Sequence, residues 1–216
     1  MLTGIEGRVL GCLLEKERTT PDLYPLTLNA LVAACNQSTS REPVMHLEDH
    51  DVDAALVSLK AQGLLRFVHP TSGRGVTKYR QVATESWALE PDAAAVVAVL
   101  LLRGPQTSGE LRTRSERLHE FSSAEEVEAV LHALAVDERV VLLERLPGQK
   151  EARWQQRFAE ESEVTFVAGA AEAGDVRGGV ADRVRDLEAR VARLEAALAD
   201  LLPADHGMAA DQVLLD

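Results

Sequence analysis

Apolar residues recur at helical spacing in the first part of the chain. Ile5, Val9, Cys12, Leu13 and Lys16 follow one face. Thr3-Gly4-Ile5-Glu6 opens that helix as a capping box, in which the Thr3 side chain and the Glu6 carboxylate each satisfy a backbone N–H. A second helix is predicted from Pro25 through Leu28, Leu31 and Val32 to Cys35. A third follows on Val52, Leu56 and Leu59, and the pattern then shifts to two strands around Gly73.

The same order returns further on. A shift of 75 positions carries Val52, Leu56 and Leu59 onto Val127, Leu131 and Leu134. It also carries Leu65 onto Val140, Gly73 onto Gly148, Lys78 onto Arg153 and Tyr79 onto Trp154. Upstream of this second set, Pro91 suits a first helical position, and Val96 to Leu102 reads as a buried helix ending at Gly104. Thr107-Ser108-Gly109-Glu110 is another capping box, opening a helix through Leu111 to Leu118. Ser122-Ser123-Ala124-Glu125 opens the third helix.

Three helices followed by a two-stranded hairpin is the winged-helix arrangement. The predicted class is mainly α with small β-hairpins (α+β), with winged-helix domains at residues 1–83 and 84–158 packed on each other. One irregular α+β domain is the alternative. Residues 159–179 are acidic, contain four glycines and read as a linker. Residues 180–202 then carry a heptad pattern. Val184, Val191 and Leu198 take position a, and Val180, Leu187, Leu194 and Leu201 take position d. Valine at a with leucine at d favours a parallel two-stranded coil. Arg183 and Arg190 at g face Glu188 and Glu195 at e only in the parallel arrangement, so a parallel homodimer is expected. The other reading is an amphipathic helix folded back on its own chain. Residues 203–216 read as a mobile tail.

Composition narrows the class. The 216 residues carry a formal charge of -12, and 46% are hydrophobic but only 4% aromatic, so the core is aliphatic. The charge is uneven: net 0 over residues 1–83, -4 over 84–158 and -8 over 159–216. Two cysteines, Cys12 and Cys35, make no disulfide framework and read as buried thiols. The longest apolar run, Ala93 to Leu102, is too short to span a bilayer, and Glu6 lies close to Met1 with no basic segment. A cytoplasmic protein without membrane contact is expected.

Several separate strings resemble the YceH family of bacterial proteins. They are Glu15-Lys16, Thr20-Pro21, Ala34-Cys35-Asn36-Gln37, Arg41-Glu42-Pro43-Val44-Met45, Val76-Thr77-Lys78-Tyr79, Leu101-Leu102-Arg103-Gly104, Gln106-Thr107 and Gly109-Glu110-Leu111-Arg112. The resemblance runs from about Leu2 to Arg157. It implies tandem winged-helix domains with a C-terminal coiled coil, and no biochemical activity. Where a serine cap would be usual, this chain has Glu48-Asp49-His50-Asp51, a more acidic and less well capped helix start.

Candidate sites follow from charge. Arg66, Arg74, Lys78 and Arg80 cluster on the first hairpin, and Lys150 and Arg153 lie on the second. Arg112, Arg114 and Arg117 lie on or beside the helix that Thr107 opens. These cations either contact nucleic-acid phosphates or are solvated and paired with nearby glutamates. The third helices are acidic, which suits the helix dipole but opposes DNA. Asn36, Gln37, Arg41 and Glu42 either bind a ligand or tie their loop to the core, the structural role being favoured. His46 and His50 have a spacing that metal sites use, without a third ligand nearby. No cofactor, metal or catalytic residue is expected, since no phosphate loop or nucleophile elbow is present. The expected function is DNA binding or transcription regulation by a dimer. The alternative is a protein–protein adaptor that uses winged-helix surfaces without DNA.

Overall fold

The computed structural model describes residues 1–70 and 75–160. The described residues lie in one compact unit. The expectations for Gly73 and Arg74, the linker from residue 161, the heptad helix and the tail lie outside the described residues.

The described chain is α+β. Helix α1 (Gly4–Thr19) is opened by Thr3, whose hydroxyl accepts from the Glu6 N–H while Glu6 accepts from the Thr3 N–H. Strand β1 (Leu26–Thr27) and α2 (Leu28–Cys35) follow, with Thr27 capping α2. This differs from the expected start at Pro25. Leu26 and Thr27 are drawn into the sheet first, and the helix begins only at a residue with a capping hydroxyl behind it. Next come α3 (Asp49–Ala61), β2 (Leu65–Val68) and β3 (Lys78–Gln81). The three strands form an antiparallel sheet in the order β1-β3-β2, with Phe67 opposite Tyr79 and Leu65 opposite Gln81.

A short helix, α4 (Ala83–Ser86), leads into α5 (Pro91–Arg103), α6 (Ser108–Ser115), α7 (Ala124–Val136) and the hairpin β4 (Val140–Leu142) with β5 (Trp154–Gln156). Its register repeats the first hairpin at the same 75-residue offset: Leu142 faces Trp154 and Val140 faces Gln156. Gln106 bridges Trp154 as Leu26 bridges Tyr79, so the counterpart of β1 survives as a single pair. Helix α6 stops at Ser115, short of Leu118, where the Ser115 hydroxyl turns back to the Leu111 carbonyl. Ser123 rather than Ser122 caps α7, accepting from the Glu126 N–H. The start of α3 is also better capped than expected, since the Asp51 carboxylate accepts from the Glu48 N–H at 2.9 Å.

Helices α1 and α5 hold the two halves together. Residues 6–14 of α1 and 93–102 of α5 are buried around the whole circumference, because each helix packs against its own half on one side and the other helix on the second. Gly11 permits the close approach of α5, and Gly7 makes room for Ala159. A Cβ on Gly11 would lie 3.0 Å from Leu102, and one on Gly7 would lie 2.8 Å from Ala159. The chain start is sewn to the end of the second half: the Leu2 N–H donates to the Phe158 carbonyl and the Glu160 N–H donates to Leu2.

Candidate functional site

The polar strings around residues 36–48 form a loop anchored by buried cations. Arg41 has no exposed side-chain surface. Its guanidinium donates to both Glu15 oxygens at 3.1 and 2.6 Å, and to Gln37 and the carbonyls of Ala34 and Ser40. Burial alone would raise the Glu15 pKa. The hydrogen bonds and charge of Arg41, aided by Lys16, outweigh it and hold the carboxyl below its ordinary value. A second buried guanidinium, Arg8, donates to the Pro43 carbonyl at 2.6 Å and to Cys35 at 3.4 Å. Burial lowers its pKa, and its Nε has no partner among the described residues. Arg8 was not legible as a loop anchor, since nothing near it in sequence is polar on the same face.

Asn36 ends α2 with a φ of −92°. Its side chain pairs with both the N–H and the carbonyl of Leu47, each at 2.8 Å. Glu42 is exposed, and its N–H donates to the Leu102 carbonyl. Arg103 adds a bond to the Ser40 hydroxyl. Asn36, Gln37 and Arg41 thus serve the loop itself.

The hairpin cations divide. Arg66 and Lys78 are exposed on β2 and β3. Arg80 lies directly across from Arg66 and is bound to Glu85 at 2.8 Å. Arg153 is bound to Glu110 at 2.7 Å and to the Pro105 carbonyl, joining the second hairpin to the start of α6. Burial would raise the Glu110 pKa, but the Thr107 N–H and Arg153 hold it low. Arg114 stands 3.7 Å from the same carboxylate, and Arg112 donates to the carbonyls of Phe121 and Ser122. Arg117 and Lys150 are exposed. Of the eight candidate cations among the described residues, Arg80, Arg112, Arg114 and Arg153 are bound within the fold, while Arg66, Lys78, Arg117 and Lys150 are exposed.

The third helices present a different surface. The exposed residues of α3 are Asp49, His50, Asp53, Ala54, Val57, Lys60 and Ala61. Glu125, Glu128, Ala129, His132, Ala133 and Val136 are exposed on α7. The 75-residue offset places Asp53 with Glu128 and Ala54 with Ala129. Val57 is 55% exposed and Val136 is 83% exposed. Lys60, the one lysine or arginine on either face, lies 4.3 Å over the Phe67 ring, beside an open cleft lined by Leu65, Arg66, Val82 and Glu85.

The remaining candidates are structural. His50 has its ring nitrogens 3.3 Å from Glu48 and Asp51. Cys12 and Cys35 are buried and share a hydrogen bond, which with burial pushes the Cys35 thiol up. Among the described residues no group of three His, Cys, Asp or Glu could hold a metal, and no helix is long and apolar enough to cross a membrane.

Comparison with known proteins supplies the family. The family described as "Protein of unknown function, DUF480" matches residues 2–149. A UPF0502 protein of Chromobacterium violaceum is 47% identical over 197 residues, covering 90% of this chain and 88% of its own. A UPF0502 protein of Geobacter metallireducens is 48% identical over 202 residues, covering 90% and 87%. The UPF0502 protein YceH of Escherichia fergusonii is 45% identical over 208 residues, covering 93% and 96%. The helix–hairpin repeat and the strings around Arg41 and Thr107 are therefore those of a DUF480 protein, and the chain belongs to the YceH family.

Proposed function

We propose that this protein is a protein–protein adaptor built from two winged-helix units, each docking a partner through its third helix. The carrying observation is the outward face of α3 and α7. It is acidic over the first turns, as far as Asp53 and Glu128, and mostly small or apolar beyond, with Lys60 its single lysine or arginine and His132 its other polar residue there. A DNA-reading helix needs donors aimed at bases and cations near phosphates. An acidic, valine-bearing face instead suits a partner protein with apolar anchors and cationic edges. Residues 180–202 act in this reading as a parallel coiled coil that joins two copies, doubling the docking faces.

A second reading, DNA binding through the hairpins, is favoured by exposed Arg66 and Lys78. Retention of genomic DNA fragments by the full-length protein at low salt separates the two. The adaptor reading expects no retention. Retention that falls steeply with salt, and that is weakened by Arg66→Ala with Lys78→Ala, would establish the hairpin reading.

A further inference from the structure

The loop before α3 is held in place more firmly than a connection requires, and its middle is left unpaired. Glu42, Val44, His46 and Glu48 are exposed, while Pro43, Met45 and Leu47 between them are half-buried. This two-residue alternation is that of an extended chain. Both ends are pinned: Pro43 by Arg8, Glu42 by the Leu102 carbonyl, and Leu47 by the paired bonds of Asn36. Between the pins, the backbone N–H and carbonyl groups of Val44, Met45 and His46 have no hydrogen-bond partner among the described residues. Val44 is 46% exposed.

We infer that residues 43–47, an ordered segment outside both sheets, take an extended, lysine- or arginine-bearing segment of a partner protein by main-chain pairing. Added strands pair with free backbone N–H and carbonyl groups, which this segment offers outside any sheet, and its prior ordering lowers the entropy cost of binding. The charge of the occupant follows from the rim. Glu42 precedes the segment, and Glu48 and Asp49 follow it, all three exposed. Of the nearby cations, Arg8 and Arg41 are turned inward and are only 2% and 5% exposed, and the half-buried Arg103 is bound to the Ser40 hydroxyl on the Glu42 side. The exposed charge is therefore acidic beyond Leu47, at Glu48 and Asp49, with Glu42 alone at the other end, about 20 Å away for an extended segment of this length. A strand with cations at its ends and an apolar residue against Val44 is complementary.

The segment shares only Asp49 with the exposed face of α3, so protection at residues 44–46 is its own readout. Amide hydrogen exchange of the full-length protein is measured with the capped peptide Lys-Val-Thr-Val-Lys and with its counterpart Glu-Val-Thr-Val-Glu. The cationic peptide is expected to slow exchange at Val44–His46 by about 10-fold at saturation, and the acidic one to leave it unchanged. His46→Pro, which removes one exposed donor, should abolish the slowing while exchange in α1 and α5 stays native. Glu42→Lys with Glu48→Lys should reverse the peptide preference. Unchanged exchange at 44–46 with millimolar cationic peptide would overturn the inference. So would protection confined to α3 or α7, a result that would instead support the third-helix docking reading.

Discussion

Removing the Glu15 carboxylate should be among the most damaging single changes to this fold, and its cost follows from burial. The Glu15–Arg41 pair and the Arg80–Glu85 pair have similar lengths, 2.6 and 2.8 Å. Their surroundings differ: the side chains of Arg41 and Glu15 are 0% and 15% exposed, those of Arg80 and Glu85 38% and 58%. Glu15→Ala leaves the buried guanidinium with only neutral acceptors, on Ala34, Gln37 and Ser40. Breaking a buried pair in this way costs about 3–5 kcal/mol, and the three remaining acceptors place this case near the lower end, about 3 kcal/mol. Glu85→Ala breaks an exposed pair and should cost about 0.5 kcal/mol or less. Urea unfolding of the full-length variants, followed by circular dichroism, measures both. Because the Glu15 carboxyl is held below its ordinary value, its contribution is present above the unfolded pKa of about 4.3. It is lost as pH falls through the lower folded value, so the gap between wild type and Glu15→Ala should close in acid. Equal costs for Glu15→Ala and Glu85→Ala, or a gap that widens in acid, would refute the reasoning.

Other substitutions probe the remaining supports. Gly7→Ala should destabilise by about 1–3 kcal/mol despite the better helix propensity of alanine, because its Cβ would stand 2.8 Å from Ala159; thermal unfolding reads the sign. Leu131→Ala, at a fully buried position of α7, should cost about 2–5 kcal/mol in urea unfolding. Thr107→Ala removes the hydroxyl that accepts from the Glu110 N–H and should cost about 1 kcal/mol. Asn36→Ala orphans both polar groups of Leu47, and amide exchange should quicken in the loop before it does in α1.

What could be read from the sequence was local or repeated. The boxes at Thr3 and Thr107 involve residues three apart, so their capping geometry is implied by spacing alone. The 75-residue offset reappears in the strand registers because each hairpin is positioned by the third helix before it. What escaped depends on distant partners. Strand β1 is two residues long and exists only because β3 lies beside it. Gln81 and Gln156 occupy the same place in the two hairpins, both buried, and each accepts from backbone N–H groups just after its strand; polarity alone reads as exposure. Among the candidate cations, Arg153 was paired across 43 positions with Glu110, a match that charge counting in either segment does not reveal. The acidic character of the third helices was visible. Its meaning changed once the alanine and valine residues beside those acids were found on the same exposed faces.

The most direct test of the docking reading places a photoreactive amino acid at Val57 of the full-length protein, which is then irradiated in the cells that express it. Val57 sits mid-face on α3, so whatever covers that face is trapped there. The account predicts a discrete adduct that protease destroys and nuclease leaves intact, and that is lost when Ala54 is changed to Glu. A nuclease-sensitive adduct would contradict it, and would put nucleic acid where a protein partner is expected.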